Sequence, residues 1–313
     1  METRSRILIL LTLAVSVYVI GTYTFFPLAE AMYYYGDDVK KEKPTGINVA
    51  LYFDPPWDLL IELKNQYPNL PVNGVINPAN GPGEAIDNEI GAEVLQLQAA
   101  GITVLGYTFT NNCQRPITDG ISEDIDKYRE WYNVDGIFYD ELNCQEADLE
   151  YVETLDDLAN SRGALYNIGN PGTGIPESFI GILDNYIIYE DRGLPALSLI
   201  EERTFGLDKR HFSITAFGVP ETEINSDYIL ALSELVQYIY ITDDDLPNPY
   251  DTFSSYIDEL FAILSQQADD KEYQYDKGYQ KYDRGYQQEQ YDKGSQQYGL
   301  NDFLNRIFNM GVE

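Results

Sequence analysis

The stretch VDGIFYDE, residues 134–141, ends a run of apolar residues in two adjacent acids, Asp140 and Glu141. Residues Gly136 to Tyr139 have the character of a short buried strand, and such a strand ends where its apolar residues stop. No basic residue stands beside the two carboxylates, so burying their charges would cost free energy. We therefore expect them at a solvated rim or in an active site. In a parallel β/α barrel the carboxyl ends of the strands carry the chemistry, so the stretch predicts an active-site edge if the chain forms such a barrel.

Outward from this stretch, apolar segments alternate with segments of helical spacing. The predicted strands are Ile47–Phe53, Val72–Ile76, Thr103–Phe109, Gly136–Tyr139, Ala164–Ile168, Tyr186–Tyr189, Phe212–Phe217 and Tyr238–Thr242. The predicted helices are Trp57–Gln66, Ile90–Ala100, Glu123–Tyr132, Ala147–Ser161, Leu197–Phe205, Asp227–Leu235 and Phe253–Gln267. Eight apolar strands over about 220 residues predict a single-domain (β/α)8 TIM-type barrel at residues 46–267. An open doubly wound sheet is the alternative, and it does not explain the count of eight.

Residues 1–31 have the pattern of a secretory signal. A basic start precedes the apolar run Ile7–Ile20, and Ala29-Glu30-Ala31 is a small-x-small cleavage site. An uncleaved membrane anchor is the alternative, because the apolar run continues loosely towards the length of about 20 residues that spans a bilayer. Both interpretations place the barrel outside the membrane, in the extracellular space or at the cell surface. Residues 32–45 are predicted to be a linker.

Residues 268–313 form a tail of different composition. Its segment Lys271–Tyr298 is rich in Tyr, Gln, Asp, Lys and Gly, contains no aliphatic residue and repeats a Tyr-Asp-Lys/Arg-Gly pattern. Because such a segment cannot bury a core of its own, we predict that it is disordered. A short apolar stripe follows between Leu300 and Val312.

The charge balance excludes several classes of function. The chain has 20 Lys and Arg against 52 Asp and Glu, a formal charge of −32, so it lacks the basic footprint of a nucleic-acid-binding protein. Such a surface would attract a cationic polymer. No phosphate-binding glycine loop follows any strand, and the single histidine, His211, precedes its strand, so we predict no cofactor and no metal.

Carboxylates therefore remain as the candidate catalytic groups. Glycoside hydrolysis uses a pair of carboxylates and needs no cofactor. Acids also cap helices in strand-end loops, so a glycan-binding protein without catalysis is the alternative. The residues near the predicted rim that we expect to bind substrate are Asp54, Asn77, Asn80, Tyr107, Arg115, Asn167, Asp191 and Asp243.

The two cysteines, Cys113 and Cys144, follow the third and fourth predicted strands. Adjacent strands lie about 4.8 Å apart, so the loops that follow them begin within reach of a disulfide. An exported protein meets an oxidising environment. We therefore predict a disulfide between them, with two free thiols as the alternative.

Several stretches, taken together and in order, resemble the spherulin-4 family. They are GINVALYFDPPW at 46–57, PVNGVINPANGPG at 71–83, GITVLGYTFT at 101–110, DIDKY-x-x-WY at 124–132 and VDGIFYDE at 134–141. The resemblance is densest up to Glu141 and thinner to about Gln267. It implies a (β/α)8 glycosidase like those of glycoside hydrolase family 135, which cut α-1,4-linked N-acetylgalactosamine in galactosaminogalactan.

The resemblance also implies the catalytic residues. The family's adjacent acidic pair corresponds to Asp140 and Glu141, and its later glutamate to Glu190, with Asp191 as a competitor. This chain departs from the family in the third-strand loop, where Asn112-Cys113 replaces a usual Tyr-Gly. We predict a secreted or surface-anchored, monomeric glycosidase that cuts an amino-sugar polysaccharide internally. Its nucleophile would be one of the adjacent pair and its acid/base Glu190. A non-catalytic surface protein that binds glycan is the alternative.

The composition of the tail generates one prediction. Ending the chain after Gln267 should leave the thermal midpoint of the barrel unchanged, because most of the deleted segment, Lys271–Tyr298, has no aliphatic residue that could pack against it. Calorimetry of the shortened and full-length chains measures this. A lost or broadened transition in the shortened chain would mean that the apolar stripe after Leu300 belongs to the core.

Overall fold

A computed structural model describes residues 44–266. Within them, eight parallel strands close into a barrel in chain order, which confirms the predicted fold. Strand β8 closes the barrel on β1, where Gly46 pairs with Tyr238. The strands are β1 Gly46–Leu51, β2 Val72–Ile76, β3 Thr103–Phe109, β4 Gly136–Asp140, β5 Ile168–Gly169, β6 Asn185–Arg192, β7 Phe212–Phe217 and β8 Tyr238–Ile241. The predicted signal or anchor, most of the linker and the tail lie outside the described residues.

Helices follow the strands and cover the barrel. Strand β5 is the exception in the described chain, since a single 3-10 turn, Glu177–Phe179, follows it. The first turn of the second helix is capped by Asp87, whose side chain accepts from two backbone N–H groups. No helix between residues 44 and 266 combines the length and the apolar character needed to cross a membrane. The helices are α1 Asp58–Gln66, α2 Asn88–Ala99, α3 Ser122–Lys127 (with π-helical turns on both sides), α4 Leu149–Ser161, α5 Leu197–Thr204, α6 Ser226–Ser233 and α7 at 257–266.

Apolar side chains fill two layers, one between strands and helices and one inside the barrel. Successive residues of a strand point to opposite faces. On β4, Ile137 and Tyr139 belong to the outer layer, whereas Phe138 belongs to the inner one. The next residue with the parity of Phe138 is Asp140, which lines the pocket above the inner layer. The alternation in VDGIFYDE therefore places one of its two acids inside the barrel mouth.

Gly136 is required by close packing at the start of this strand. A Cβ atom there would lie 1.6 Å from the backbone carbonyl oxygen of Tyr166 on the neighbouring segment. No rotation of a side chain relieves a clash with backbone, so only glycine fits where these two segments approach each other.

Two predicted boundaries are wrong by four residues, for identifiable reasons. The fifth strand was expected at Ala164–Ile168, but its ladder starts at Ile168 because the side-chain oxygen of Asn167 accepts the N–H of Ile137 at 3.1 Å, in place of a backbone carbonyl. The closing helix starts at 257 rather than at Phe253. The segment before this helix is held in a loop, because the backbone N–H of Ser255 donates to the side chain of Asp243 at 2.9 Å.

A disulfide joins Cys113 and Cys144, with their Cα atoms 5.6 Å apart, as predicted. The bridge connects the loops that follow β3 and β4. Backbone hydrogen bonds extend the same connection, since the N–H groups of Thr110 and Asn112 donate to the carbonyls of Asp140 and Glu141, each at 2.9 Å. The acidic end of β4 is therefore tied to the third loop by covalent and hydrogen bonds.

This bridge generates a stability prediction. Replacing both Cys113 and Cys144 by serine should lower the free energy of unfolding by about 3–4 kcal/mol, because the unfolded chain regains the freedom of a closed loop of 31 residues. Denaturant unfolding of the oxidised protein and the double variant gives the difference. The reduced wild-type protein serves as the control and should match the double variant; equal stability of all three would contradict the prediction.

Candidate active site

A pocket with about 450 Å³ of empty space opens at the carboxyl end of the barrel. Apolar side chains of the barrel interior form part of its wall, and carboxylate, amide and phenol groups form the rest. The lining residues are Asn48, Ala50, Tyr52, Val75, Phe138, Asp140, Asn170, Ile187, Glu190, Thr215, Tyr240 and Tyr250.

Asp140 is the last residue of β4 and is held on both of its oxygens. Oδ2 accepts a hydrogen bond from the hydroxyl of Tyr107 at 2.8 Å, and Oδ1 accepts one from Nδ2 of Asn170 at 2.9 Å. Both donors are neutral and almost fully buried, each 6% exposed. Donors of this kind fix the direction of a carboxylate and leave its charge in place.

Glu190 reaches the pocket through an irregularity in β6. The pairing of β6 with β7 shifts register between Ile187 and Tyr189. As a result, two successive residues, Ile188 and Tyr189, both face the outer layer, and Ile187 and Glu190 both line the pocket. Bulges near active sites re-aim side chains in this way. In an unbroken alternation Tyr189 would point inward and Glu190 outward.

Asn170 connects the two carboxylates. Its Nδ2 atom donates to Asp140 at 2.9 Å and to Glu190 at 2.5 Å. Because both oxygens are bonded to the same nitrogen, these two lengths limit the distance between Asp140 Oδ1 and Glu190 Oε2 to 5.4 Å. Carboxyl groups in retaining glycosidases lie about 5–5.5 Å apart, and those in inverting enzymes about 6.5–9.5 Å. The close approach of these oxygens fits the shorter class.

Three tyrosines surround the pair. Tyr52 packs edge-on against Tyr107 and Tyr250, with ring centroids 5.5 and 5.8 Å apart. The hydroxyl of Tyr250 donates to Oε1 of Glu190. Burial, followed by the charges of Asp140 and Glu190, raises the pKa of all three phenols. They therefore stay protonated, and Tyr107 and Tyr250 serve as neutral hydrogen-bond donors.

The environment of Glu190 favours its protonated form. Burial raises the pKa of its carboxyl; the hydrogen bonds from Tyr250 and Asn170 lower it in part, and the charge of Asp140 raises it again. The net direction is upward. A carboxyl with a raised pKa next to an accepting carboxylate is the arrangement of a general acid in glycosidases.

Glu141 lies at the edge of the site rather than in it. Its side chain is exposed and is absent from the pocket lining. Its backbone has a positive φ of 53°, and its carbonyl accepts from the hydroxyl of Thr110 at 2.8 Å. The charge of Glu141 nevertheless acts on Tyr107, whose pKa it helps to raise after burial and Asp140.

None of the eight residues predicted to bind substrate is among those that line the pocket, and Tyr107 is the one of them that contacts the acid pair. Five of these lie in strand-end loops or at the end of β6. Asp54, Asn80, Asp191 and Asp243 are exposed. Asn77 is partly buried, and its side chain closes its own loop by accepting the N–H of Gly81 at 2.8 Å.

The structure contradicts a substrate-binding role for Asn167. It has no exposed surface, and its amide is used internally, accepting from Ile137 and donating to Asp156 at 2.9 Å. Arg115 is also engaged within the fold. Its guanidinium pairs with Asp124 at 2.7 Å and lies over the ring of Phe109. Both side chains stabilise the segments that surround the site.

Asn170 and Tyr250 were not singled out in the sequence. Asn170 opens an Asn-Pro-Gly run directly after β5, at the end of the barrel where functional loops lie. The prediction named Asn167 instead, which has the opposite parity and faces away from the pocket. Tyr250 lies in the loop after β8, and nothing local in the sequence distinguishes it from other tyrosines.

The described residues thus form a closed barrel with a carboxylate pair at its carboxyl end, which is the end where (β/α)8 barrels carry their active sites. A profile of spherulation-specific family 4 (Spherulin4) matches residues 46–264. The chain belongs to this family, as its sequence motifs indicate.

Two relatives illustrate the match. Spherulin-4 of Physarum polycephalum is 29% identical over 156 residues, which are 48% of this chain and 46% of the relative, so the chain spans about half the length of this curated relative. Sph3 of Aspergillus clavatus, solved in complex with GalNAc, has a TM-score of 0.63 at 23% identity, covering 72% of this chain and 99% of that chain. At this identity the comparison shows a shared fold.

The raised pKa of Glu190 generates a prediction about stability. Below the ordinary glutamate range, about pH 4, folded and unfolded chains both hold this proton. As the pH rises above that range, the folded chain retains the proton longer, so stability falls until the folded pKa is passed. Glu190→Gln should therefore be more stable than wild type at pH 7, by about 1.4 kcal/mol for each tenfold difference in proton affinity.

Thermal and denaturant unfolding between pH 3 and pH 8 measures this difference. The matched control is Asp191→Asn, which neutralises the exposed neighbouring acid and should show no comparable gain at pH 7. A Glu190→Gln protein that is less stable than wild type at every pH would contradict the prediction.

Proposed function

We propose that this protein is a glycoside hydrolase, secreted or held at the cell surface, that cuts an amino-sugar polysaccharide of the galactosaminogalactan type within the chain, at α-1,4-linked N-acetylgalactosamine. The observation that carries the proposal is the pair Asp140 and Glu190, with one oxygen of each bonded to the same nitrogen of Asn170. The two environments differ, as acid and nucleophile require.

The spacing supports a two-step mechanism with retention. In the first step Asp140 attacks the anomeric carbon, the bond to the leaving oxygen breaks, and Glu190 gives that oxygen its proton. In the second step the ionised Glu190 takes a proton from water, whose oxygen attacks the same carbon and releases Asp140. Asp140 is favoured over Glu141 as the nucleophile because it lines the pocket and Glu141 does not. Glu141 would then act only through its charge at the rim of the pocket.

In a retaining mechanism, the sugar itself makes a protein nucleophile necessary. In an α-linked N-acetylgalactosamine the 2-acetamido group is cis to the leaving oxygen, so it cannot attack from the opposite face. The covalent intermediate must then form on a side chain, and Asp140 is the carboxylate that faces Glu190 in the pocket. A β-linked substrate would permit participation of the acetamido group and would not need Asp140 as nucleophile.

The choice of substrate rests on several supporting observations. The family resemblance points to N-acetylgalactosamine polymers, and Sph3, which shares the fold, was solved with GalNAc. Tyrosines beside the acid pair offer apolar faces and hydroxyls suited to sugar rings. The formal charge of −32 would concentrate a polymer that carries free amino groups near the protein. The disulfide, together with the signal pattern of residues 1–31, supports an oxidising location outside the cytoplasm.

Activity on a panel of acetylated and partly deacetylated polysaccharides tests the proposal. New reducing ends and a ladder of oligosaccharides are expected from N-acetylgalactosamine polymers, and proton NMR of the first products should show the α anomer. Products with the β anomer would contradict the retaining assignment. No cleavage, with polymer binding intact, would favour a glycan-binding protein instead.

Substitutions in the pair give a matched test. Asp140→Asn and Glu190→Gln should each lower kcat by several orders of magnitude, because each removes a group that forms or breaks a bond. Glu141→Gln and Asp191→Asn should retain far more activity, since neither side chain lines the pocket. An Asp191→Asn protein as inactive as Glu190→Gln would contradict the assignment of Glu190 as the acid.

A further inference from the structure

The side chain of Asn170 contacts both carboxylates with one nitrogen. An amide NH₂ group has two hydrogens, and here one is directed to Asp140 and the other to Glu190. The orientation of the amide is fixed from the other side, because its oxygen accepts the backbone N–H of Gly172 at 3.0 Å. A reversed amide would place an oxygen between two carboxylates and its NH₂ group against an N–H donor, so the hydrogen-bond network admits one orientation.

Backbone hydrogen bonds tie Asn170 to the strand that carries Asp140. Its N–H donates to the carbonyl of Tyr139 at 2.8 Å, and its carbonyl accepts from Leu142 at 2.9 Å. Tyr139 and Leu142 flank Asp140 and Glu141 in the sequence. The backbone from which the Asn170 side chain extends is therefore fixed relative to Asp140.

The same segment is tied to the strand that carries Glu190. The carbonyl of Gly172 accepts the backbone N–H of Glu190 at 3.0 Å. Gly172 has a φ of 65°, a conformation that favours glycine, and a Cβ there would lie 3.5 Å from the Cβ of Glu190. Residues 170–172 thus bond to Glu190 through main chain and side chain at once.

We propose that Asn170 is a positioning residue that sets the separation of Asp140 and Glu190 and so permits the two carboxylates to act in sequence on one anomeric carbon. The inference rests on the proposed function for its catalytic consequence, and the geometry stands independently of the substrate. Asn170 transfers no proton and forms no bond to the sugar in this role. It determines where two other groups stand.

Kinetics of Asn170→Ala and Asn170→Ser test the catalytic consequence. Loss of the two hydrogen bonds from Asn170 should lower kcat about 100-fold, with a much smaller change in KM. A misplacement of a reacting group by about 1 Å has an effect of this size. The hydrogen bond from Asn170 lowers the pKa of Glu190, so its removal should move the alkaline limb of the kcat/KM profile to higher pH. Serine, which can donate to one carboxylate, should fall between alanine and wild type.

A second measurement does not depend on activity. The stability difference between Glu190→Gln and its parent is measured against pH in the wild-type and in the Asn170→Ala background, by urea unfolding. The midpoint of that difference reports the titration of Glu190 in the folded chain. It should move to higher pH without Asn170. The double-variant cycle thus tests the contact between Asn170 and Glu190 even if no polysaccharide is cut.

The matched control is Asn167→Ser, which alters an equally buried amide three residues earlier that touches neither carboxylate. It should lower stability without moving either pH midpoint. Unchanged midpoints in a folded Asn170→Ala or Asn170→Ser protein would overturn the inference. Inactivity of the wild-type protein on every glycan, with a shifted stability midpoint, would overturn the proposed function and leave the positioning role of Asn170 standing.

Discussion

Repulsion between Asp140 and Glu190 is the constraint around which the barrel mouth is built. When both groups are ionised, two unit charges 5.4 Å apart, the upper limit between their nearest oxygens, repel by about 3 kcal/mol at an effective dielectric constant of about 20. Four hydrogen bonds oppose this repulsion, donated by Tyr107, Asn170 and Tyr250. Bonds to charged acceptors contribute about 1.5–3 kcal/mol each, so together they can hold the pair in place. The donors come from β3 and from the loops after β5 and β8. The site therefore exists only when the barrel is closed.

The fold and the acidic end of β4 followed from the sequence because they depend on local patterns. An apolar run and its end are properties of a single strand, and they identify β4 and the adjacent acids Asp140 and Glu141 without reference to any other segment. The disulfide was predicted by one further step, since Cys113 and Cys144 follow strands that are neighbours in any barrel in chain order. The strand count of eight supplied that order.

The rest of the site depends on tertiary structure. Whether Glu190 or Asp191 faces the pocket is decided by the register shift in β6, which changes the parity of every residue after Ile187. The sequence around it, Ile-Ile-Tyr-Glu-Asp, contains no glycine or other mark of a bulge. The start of β5 also depends on tertiary structure, since the side chain of Asn167 accepts the N–H of Ile137 in place of a backbone carbonyl. Interactions between segments, not propensities within them, decide both cases.

The donors around the acid pair are neutral, and this has a chemical consequence. No lysine or arginine is among the residues that line the pocket, and two nearby arginines are paired elsewhere, Arg115 with Asp124 and Arg192 with Asp245. Phenols and an amide fix the carboxylates without cancelling their charge, whereas an ion pair would have held them equally well and neutralised the pocket. In the proposed reaction positive charge develops on the sugar ring as the glycosidic bond breaks. A pocket that orients its carboxylates with neutral groups keeps its negative potential. That potential stabilises the positive charge of the transition state, and such preorganised electrostatics lowers the reaction barrier.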